Sequence, residues 1–280
     1  MYIFHNSNDL IHFLQKQKKD AKTIGFVPTM GALHDGHLQL VKEAKAKTDI
    51  VVCSIFVNPT QFNNPTDLEK YPRTIENDIA LLATTYCDIV FIPTVAELYP
   101  DGLKADKYYE LGLIASKLEG AFRPGHFQGV ATVLDKFFRI VQADHLFMGQ
   151  KDYQQCLVVA ALIAQEQHTL QLHIVPTKRA ADGLALSSRN ARLSEGERLQ
   201  AGLIYQCLIS IQAQNGLKPF AIVQKECIDI LTRKGIQPEY IYLCNAHTLD
   251  ILEDYTTGTP MIVLIAAFVG EIRLIDNLVI

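Results

Sequence analysis

The sequence predicts an α/β protein in which a parallel sheet is followed by a smaller C-terminal α+β domain. From Thr23 onward, short apolar runs alternate with helical patterns, which is typical of βαβ units around a parallel sheet. After Lys178 the order changes to helices followed by neighbouring strands. Because single cores tend to divide beyond roughly 250 residues, we expect two domains, at residues 1–177 and 178–280.

The predicted elements follow in chain order. A lead-in helix lies within residues 1–22, and no chemistry is assigned to it. Strands are predicted at 23–27, 50–57, 89–92, 145–148 and 170–175, with helices beginning near Gly36, Ile75, Gly129 and Tyr153. Ser194 and Glu197 form a capping box for a helix that continues to about Gln214. A second helix begins at Pro219 and ends before Gly235, and strands at 240–244, 261–269 and 271–275 follow, with a tight turn at Gly270.

Composition narrows the class of function. The formal net charge is −4 and the chain has no long basic run, which argues against an extended nucleic-acid surface. The apolar runs at 157–164 and 261–269 are far shorter than the ~20 residues that span a bilayer. The six cysteines show no CxxC pair, and the polar residues 1–8 do not resemble a signal peptide. We therefore expect a cytoplasmic protein with reduced, buried thiols and no membrane partner.

The segment PTMGALHDGH, residues 28–37, connects a predicted strand to a predicted helix. Gly31 and Gly36 permit close approach of a ligand to the backbone, and the first N–H groups of a helix favour anionic oxygens. His34 and His37 are three residues apart and can share one face of the first turn. The pattern predicts a phosphate site, although the histidines could instead cap the helix or bind zinc.

Other distinctive polar loops also follow predicted strands. They are NPTQF at 58–62, GQKDYQQ at 149–155 and KRAADGLALSSRN at 178–190. In open parallel sheets, ligands bind outside the carboxyl ends of the strands, so we expect these loops to share one rim. Lys151 could neutralise a phosphate, and Asp152 could hold a ribose hydroxyl or cap its helix. The alternative for both residues is a solvated ion pair.

Several further side chains have two interpretations. Gln61 and Gln155 suit recognition of a polar acyl substrate, or they satisfy backbone groups. The two hydroxyls and the guanidinium of Ser187, Ser188 and Arg189 suit a phosphate lid, or they form an exposed turn.

Arg123 and Tyr71 are ambiguous by themselves. Asp78, which follows Asn77, either lies on a helix exterior or helps to hold Mg²⁺ through phosphates, and the residues favour neither alternative.

Taken together, these motifs resemble the pantoate–β-alanine ligase (pantothenate synthetase) family over almost the whole length. In order they are PTMGALHDGH, SIFVNPTQF, YPRT, RPGHFQGV, GQKDYQQ and DGLALSSRN. HDGH is similar to the HIGH box of the wider nucleotidyltransferase and class I aminoacyl-tRNA synthetase superfamily. The resemblance implies a Rossmann-like ATP- and pantoate-binding domain, a smaller C-terminal lid domain and a homodimer.

The family's site residues transfer position by position. ATP contacts are implied for Met30, Gly31, Ala32, Leu33, His34, Asp35, Gly36, His37, Gly149, Gln150, Lys151, Asp152, Lys178, Leu186, Ser187, Ser188 and Arg189. Pantoate or β-alanine contacts are implied for Gln61 and Gln155, with Asn58, Tyr71 and Arg123 as further candidates. His37 matches the family's proton donor toward the phosphates. Leu186 replaces the usual methionine of the lid motif, which is a volume-conserving change.

The implied reaction joins pantoate to β-alanine through a pantoyl adenylate, with ATP as co-substrate and Mg²⁺ as cofactor. His34, His37, Lys151, Ser187, Ser188 and Arg189 would stabilise the departing diphosphate. Two alternatives remain. One is another HxGH nucleotidyltransferase that forms no amide, and the other is a nucleotide sensor or tRNA-binding relative without turnover.

Overall fold

The structure is a computed structural model that describes residues 1–103 and 107–280, and it confirms the α/β class. The chain forms two compact units. The sheet unit comprises Met1–Gly149 and Gln154–Pro176, and the C-terminal unit comprises Gln150–Tyr153 and Thr177–Ile280. The assignment of residues 1–177 to substrate binding and of residues 178–280 to a lid stays a prediction.

The sheet unit alternates strands and helices. Its strands are β1 (Tyr2–Phe4), β2 (Ile24–Thr29), β3 (Ile50–Ile55), β4 (Ile89–Phe91), β5 (His145–Gly149) and β6 (Gln171–Val175). Its helices are α1 (Ser7–Lys19), α2 (Asp35–Lys47), α3 (Pro65–Glu69), α4 (Ile75–Ala83), α5 (Val95–Leu98), α6 (Glu119–Phe122), α7 (His126–Val141) and α8 (Tyr153–Gln165). Short 3₁₀ turns lie at Pro59–Gln61 and Leu113–Ser116.

All pairings in this sheet are parallel, and the strand order is β1-β4-β3-β2-β5-β6. The chain runs outward in one direction from β2 to β4 and in the other direction through β5 and β6. The topological switch point therefore lies between β2 and β5, which is where open α/β sheets bind ligands. The PTMGALHDGH segment leaves β2 at this point.

Alternate residues of the central strands fill two hydrophobic cores. Phe26 and Val52 belong to one core, whereas Val27 and Cys53 belong to the other. All four side chains are fully buried. Helices therefore cover both faces of the sheet, which explains why its strands are apolar almost without interruption.

A pair of histidines lies near one edge of the sheet. His145 Nδ1 and His173 Nε2 are 3.0 Å apart, and the His173 ring stacks on Phe147. Burial lowers the pKa of His173 below its ordinary value of 6.5, and the charges of His145 and Lys47 lower it further. Protonation of His173 is therefore disfavoured in the folded protein.

The C-terminal unit packs three helices on an antiparallel sheet. The helices are α9 (Glu195–Ala201), α10 (Leu203–Ala213) and α11 (Phe220–Arg233), and the sheet has the order β7 (Ile236–Asn245), β8 (Met261–Val269), β9 (Ile272–Val279). The predicted capping box of Ser194 and Glu197 is confirmed, as is the turn at Gly270, which has a φ of +58°. Further 3₁₀ turns lie at Gln150–Asp152 and Ser188–Arg192.

Several elements differ from the sequence prediction, and three of the differences bear on the fold. Strand β1 was not predicted, and it pairs with β4 far along the chain. Helix α7 begins at His126, not near Gly129, because Gly125 adopts the left-handed conformation that starts the helix there. The helix expected to reach Gln214 is interrupted at Gly202, where an added Cβ would lie 2.9 Å from Asp182 Oδ2. No helix within residues 1–103 and 107–280 is long and apolar enough to cross a membrane.

Candidate active site

The segment after β2 turns sharply before α2 begins. Gly31 has a φ of +79° and Ala32 a φ of +48°, so two successive residues are left-handed. This conformation costs roughly 1–2 kcal/mol for a residue that carries a Cβ, and Ala32 is such a residue. Surrounding contacts must therefore hold the turn in place.

Asp78 of α4 supplies those contacts. Its side chain is buried, and its carboxylate accepts the N–H groups of Ala32 at 2.9 Å and Leu33 at 2.8 Å. The Thr74 hydroxyl donates to the same carboxylate at 3.0 Å. The Mg²⁺ role considered for Asp78 stays a prediction, while these three hydrogen bonds support a role in holding the turn.

His34 and His37 close the start of α2. His34 is the N-cap residue, and its Nδ1 accepts from the Gly36 N–H at 3.1 Å. The His34 N–H donates to His37 Nδ1 at 3.3 Å. Because both Nδ1 atoms accept, each neutral ring bears its proton on Nε2. The cap interpretation is thus confirmed, and it also gives each ring an Nε2–H donor, which suits a phosphate oxygen.

Asn58 and Gln61 lie in the loop after β3. Asn58 Nδ2 donates to Gln61 Oε1 at 3.2 Å, and Asn58 Oδ1 accepts from the Tyr99 hydroxyl at 2.7 Å. Both amide side chains are buried. Gln61 Nε2 lies 2.9 Å from Met30 Sδ. The structure therefore brings this loop against the PTMGALHDGH segment within the sheet unit.

The RPGHF segment supports the Gln61 backbone. His126 Nδ1 donates to the Gln61 carbonyl at 2.8 Å, and Arg123 approaches the same oxygen at 3.5 Å. Arg123 Nη1 also lies 3.8 Å from a Glu119 carboxylate oxygen. A Cβ at Gly129 would overlap the Thr60 carbonyl, so the start of α7 packs directly on the loop. Sequence reasoning missed His126, although it stands within the RPGHFQGV motif.

The two remaining predicted substrate residues of the sheet unit are held differently. Tyr71 is buried and meets the Phe62 ring edge-on at a centroid distance of 5.6 Å. Gln155 is half-buried in the first turn of α8. Its neighbour Gln154 is buried and donates to the carbonyls of Ile114 and Lys117, each at 2.7 Å. Gln154 therefore has the structural role that was considered for Gln155.

Residues Gln150, Lys151 and Asp152 form a 3₁₀ turn that belongs to the C-terminal unit. The Lys151 ammonium lies 3.4 Å from Asp152 Oδ1, and the Lys151 side chain is 18% exposed whereas that of Asp152 is 48% exposed. Asn277 Nδ2 of β9 donates to the carbonyls of Gln150 and Lys151, both at 2.9 Å. Gly149, the remaining predicted nucleotide contact here, ends β5 in the sheet unit.

Arg179 fixes the base of the predicted lid. Its guanidinium binds both carboxylate oxygens of Asp276, at 2.6 and 3.0 Å, and donates to the Gly183 carbonyl at 3.1 Å. It also stacks on the Tyr205 ring at 4.0 Å. Burial raises the pKa of Asp276, and the Arg179 charge offsets part of this effect.

The predicted lid residues follow directly. The Leu186 N–H donates to the Lys178 carbonyl at 3.0 Å, and the Lys178 side chain is exposed. Ser187 caps the 3₁₀ turn Ser188–Arg192, and its hydroxyl accepts from the Arg189 N–H at 3.3 Å. Within the C-terminal unit, the structure thus joins Lys178 to Leu186 inside the 178–190 segment.

No group of three His, Cys, Asp or Glu side chains suited to a metal occurs in the described part of the chain. Mg²⁺ keeps several waters and commonly binds through one or two carboxylates together with substrate phosphates. The predicted use of Mg²⁺ with ATP therefore stays a prediction.

Comparisons with known proteins all indicate the same protein family. A family model described as pantoate-beta-alanine ligase matches residues 2–279. A pantothenate synthetase of Alteromonas mediterranea is 44% identical over 280 residues, which are 99% of this chain and 99% of the relative. A pantothenate synthetase of Aliivibrio fischeri is 42% identical over 282 residues, covering 100% of this chain and 96% of the relative.

Solved structures give the same result. The crystal structure of pantothenate synthetase from Thermus thermophilus matches with a TM-score of 0.91 and 38% identity, over 99% of each chain. That of pantoate-beta-alanine ligase from Francisella tularensis, complexed with beta-gamma ATP and beta-alanine, matches with a TM-score of 0.82 and 36% identity. The match covers 100% of this chain and 97% of the other.

Proposed function

The chain belongs to the pantoate–β-alanine ligase family, and from this premise we propose that it joins (R)-pantoate to β-alanine with consumption of ATP. The products are (R)-pantothenate, AMP and diphosphate. The observation that best supports this reaction is the contact of Gln61 with Met30 at 2.9 Å. It places a buried amide, suited to a small polar acid, beside a turn whose histidines are suited to phosphate.

In the first step, the carboxylate of pantoate attacks the α-phosphorus of ATP. The carboxylate is already ionised at neutral pH, so no protein nucleophile is needed. A bond forms between the carboxylate oxygen and phosphorus, and the bond to the β-phosphate oxygen breaks. The products are pantoyl adenylate and diphosphate, and the protein contributes alignment and charge neutralisation.

In the second step, the neutral amine of β-alanine attacks the acyl carbon of the adenylate. An amide bond forms, the bond from the acyl carbon to the phosphate oxygen breaks, and AMP leaves with that oxygen. The amine releases one proton. Exclusion of water protects the adenylate from hydrolysis between the two steps.

The roles of the residues follow from the groups they present. We propose that His34 and His37 donate Nε2–H groups to phosphate oxygens, with His37 as proton donor, and that Lys151 supplies a positive charge. The lid would add the Ser187 and Ser188 hydroxyls and the Arg189 guanidinium. The remaining nucleotide contacts would be Met30, Gly31, Ala32, Leu33, Asp35, Gly36, Gly149, Gln150, Asp152, Lys178 and Leu186.

Gln61 and Gln155 would orient pantoate, and Gln61 would also meet β-alanine. Asn58 and Arg123 contact the Gln61 side chain and backbone, respectively, so they would act mainly by shaping this half of the site. Tyr71 would form part of its wall. Mg²⁺ would enter with ATP, and we further propose a cytoplasmic homodimer that binds neither nucleic acid nor membranes.

The test is an AMP-release assay on the purified protein with each substrate omitted in turn. We expect AMP and pantothenate only when ATP, pantoate and β-alanine are all present. With ¹⁸O in the carboxylate of pantoate, one labelled oxygen should appear in AMP. Recovery of ADP and phosphate, or a nucleotidylated product that forms without an amine, would exclude this reaction.

A further inference from the structure

Asn277 of β9 makes an unusual pair of contacts with the turn that contains Lys151. The residue is 2% exposed, and its single NH₂ group donates to two consecutive carbonyls, those of Gln150 and Lys151, both at 2.9 Å. The Gln150 side-chain amide donates back to Asn277 Oδ1 at 3.4 Å. Both donors and the acceptor of one buried amide are therefore directed at one turn.

These contacts set the direction of the Lys151 side chain. The 3₁₀ turn Gln150–Asp152 has only three residues before α8 begins at Tyr153, so few backbone hydrogen bonds of its own define its peptide planes. Two bonds from one rigid amide fix the planes on either side of the Lys151 Cα atom. The direction of the Cα–Cβ bond follows from those planes.

Strand β9 can act as a fixed support because Asp276, the residue before Asn277, is itself held in place. Asp276 is 3% exposed and receives two bonds from Arg179, whose guanidinium also donates to the Asn277 carbonyl at 3.2 Å. Asp276 Oδ1 in turn accepts from the Asn277 N–H at 2.8 Å. The Asn277 backbone is thus held on both sides of its side chain.

We propose that Asn277 is a positioning residue that orients Lys151 toward the phosphates of ATP. This inference rests on the proposed function, because it assigns Lys151 to the nucleotide. Asn277 itself touches no reacting group. Its loss would remove a side-chain donor from both carbonyls and loosen the turn.

The test uses substitutions that remove the two N–H donors of the Asn277 side chain. Asn277→Asp keeps the shape of the side chain but places an oxygen against the two carbonyl oxygens. Asn277→Ala removes the donors without repulsion and serves if the aspartate variant does not fold. Gln224→Ala is the matched control, since Gln224 Nε2 of α11 donates to the Ile241 carbonyl at 2.6 Å within the same unit.

The experiment is a double-mutant cycle on the rate of adenylate formation in single-turnover assays. We expect Asn277→Asp to slow this step by about 10- to 100-fold, as a misplaced reacting group does. In a Lys151→Ala background the same substitution should change the rate less than about twofold. An equal loss in both backgrounds would show a general structural effect and overturn the proposal.

Two further measurements distinguish a wrong role for Asn277 from a wrong proposed function. Gln224→Ala should lower the denaturation midpoint but leave adenylate formation within about twofold of wild type. Titration with ATP alone should give a weaker Kd for Asn277→Asp, again only when Lys151 is present. If the wild type binds ATP but releases no AMP, the proposed function fails, and the ATP titrations still decide the role of Asn277.

Discussion

Replacement of Asp78 by asparagine tests how the turn before α2 is held. The carboxylate accepts three hydrogen bonds, two of them from the N–H groups of Ala32 and Leu33. Asparagine has only one side-chain oxygen, so at least one of these N–H groups would face an NH₂ group. Loss of a hydrogen bond to a charged acceptor costs roughly 1.5–3 kcal/mol. Left-handed Ala32 then has a less strained conformation available to it.

If the turn binds ATP only in the observed conformation, the free energy lost with the hydrogen bond weakens ATP binding by the same amount. Each ~1.4 kcal/mol is a factor of ten, so Asp78→Asn should weaken the Kd for ATP by about 10- to 100-fold. Calorimetric titration measures the Kd, and urea unfolding measures the accompanying loss of stability. A Kd within about twofold of the wild-type value would refute the reasoning.

Asp88→Asn is the matched control in the same unit. Asp88 Oδ2 accepts from the Val51 N–H at 2.8 Å and from Lys45 at 3.1 Å, so this substitution also removes charge-assisted bonds. It should reduce the stability and leave the Kd for ATP unchanged. If Asp78 instead helps to hold Mg²⁺, the substitution removes a metal ligand and should shift the Mg²⁺ dependence of turnover. Such a shift for Asp78→Asn would favour metal binding over support of the turn.

Three further predictions concern other parts of the molecule. Lys151→Ala should slow adenylate formation by ~10² or more, as loss of one preorganised donor does, and near-normal turnover would remove it from the mechanism. His126→Ala should raise the KM for pantoate by about tenfold with little change in the Kd for ATP, since it removes the nearer of two donors to the Gln61 carbonyl. His126→Asn, which keeps a donor, should restore part of the loss. The pKa of His173 lies below its unfolded value of 6.5, so the unfolded state binds its proton first and stability falls as the pH falls below 6.5. His173→Gln should make that decline shallower in urea unfolding at a series of pH values, and an unchanged slope would contradict the assignment.

The sheet could be predicted from the sequence because its signals are local. Apolar runs bounded by polar loops gave the five strands β2 to β6, and the capping pair Ser194 and Glu197 marked a helix start. Strand β1 has only three residues, and its pairing with β4 depends on contacts far along the chain. The break at Gly202 lies beside Asp182, a close approach that no helical periodicity contains.

The chemical groups of the candidate site could also be predicted from the sequence, since they lie in short motifs, and their roles stay predictions. The residues that hold these groups in place could not be predicted from the sequence. Asp78 is 46 positions from Ala32, and His126 is 65 positions from Gln61. Such contacts leave no periodic pattern in a single sequence. Asn277 offered little local signal either, because Arg273 and Asp276 are polar residues of the same strand.

The support of the Gln150–Asp152 turn by Asn277 also has a consequence for biosynthesis. The two partners are 127 positions apart, so the ribosome makes the turn long before it makes the strand that fixes it. At ~5–20 residues per second this delay is about 6–25 s. The parallel sheet can form its pairings in that interval, whereas the Lys151 turn stays without its partner. A nascent chain should therefore complete the proposed nucleotide site only after β9 has been synthesised.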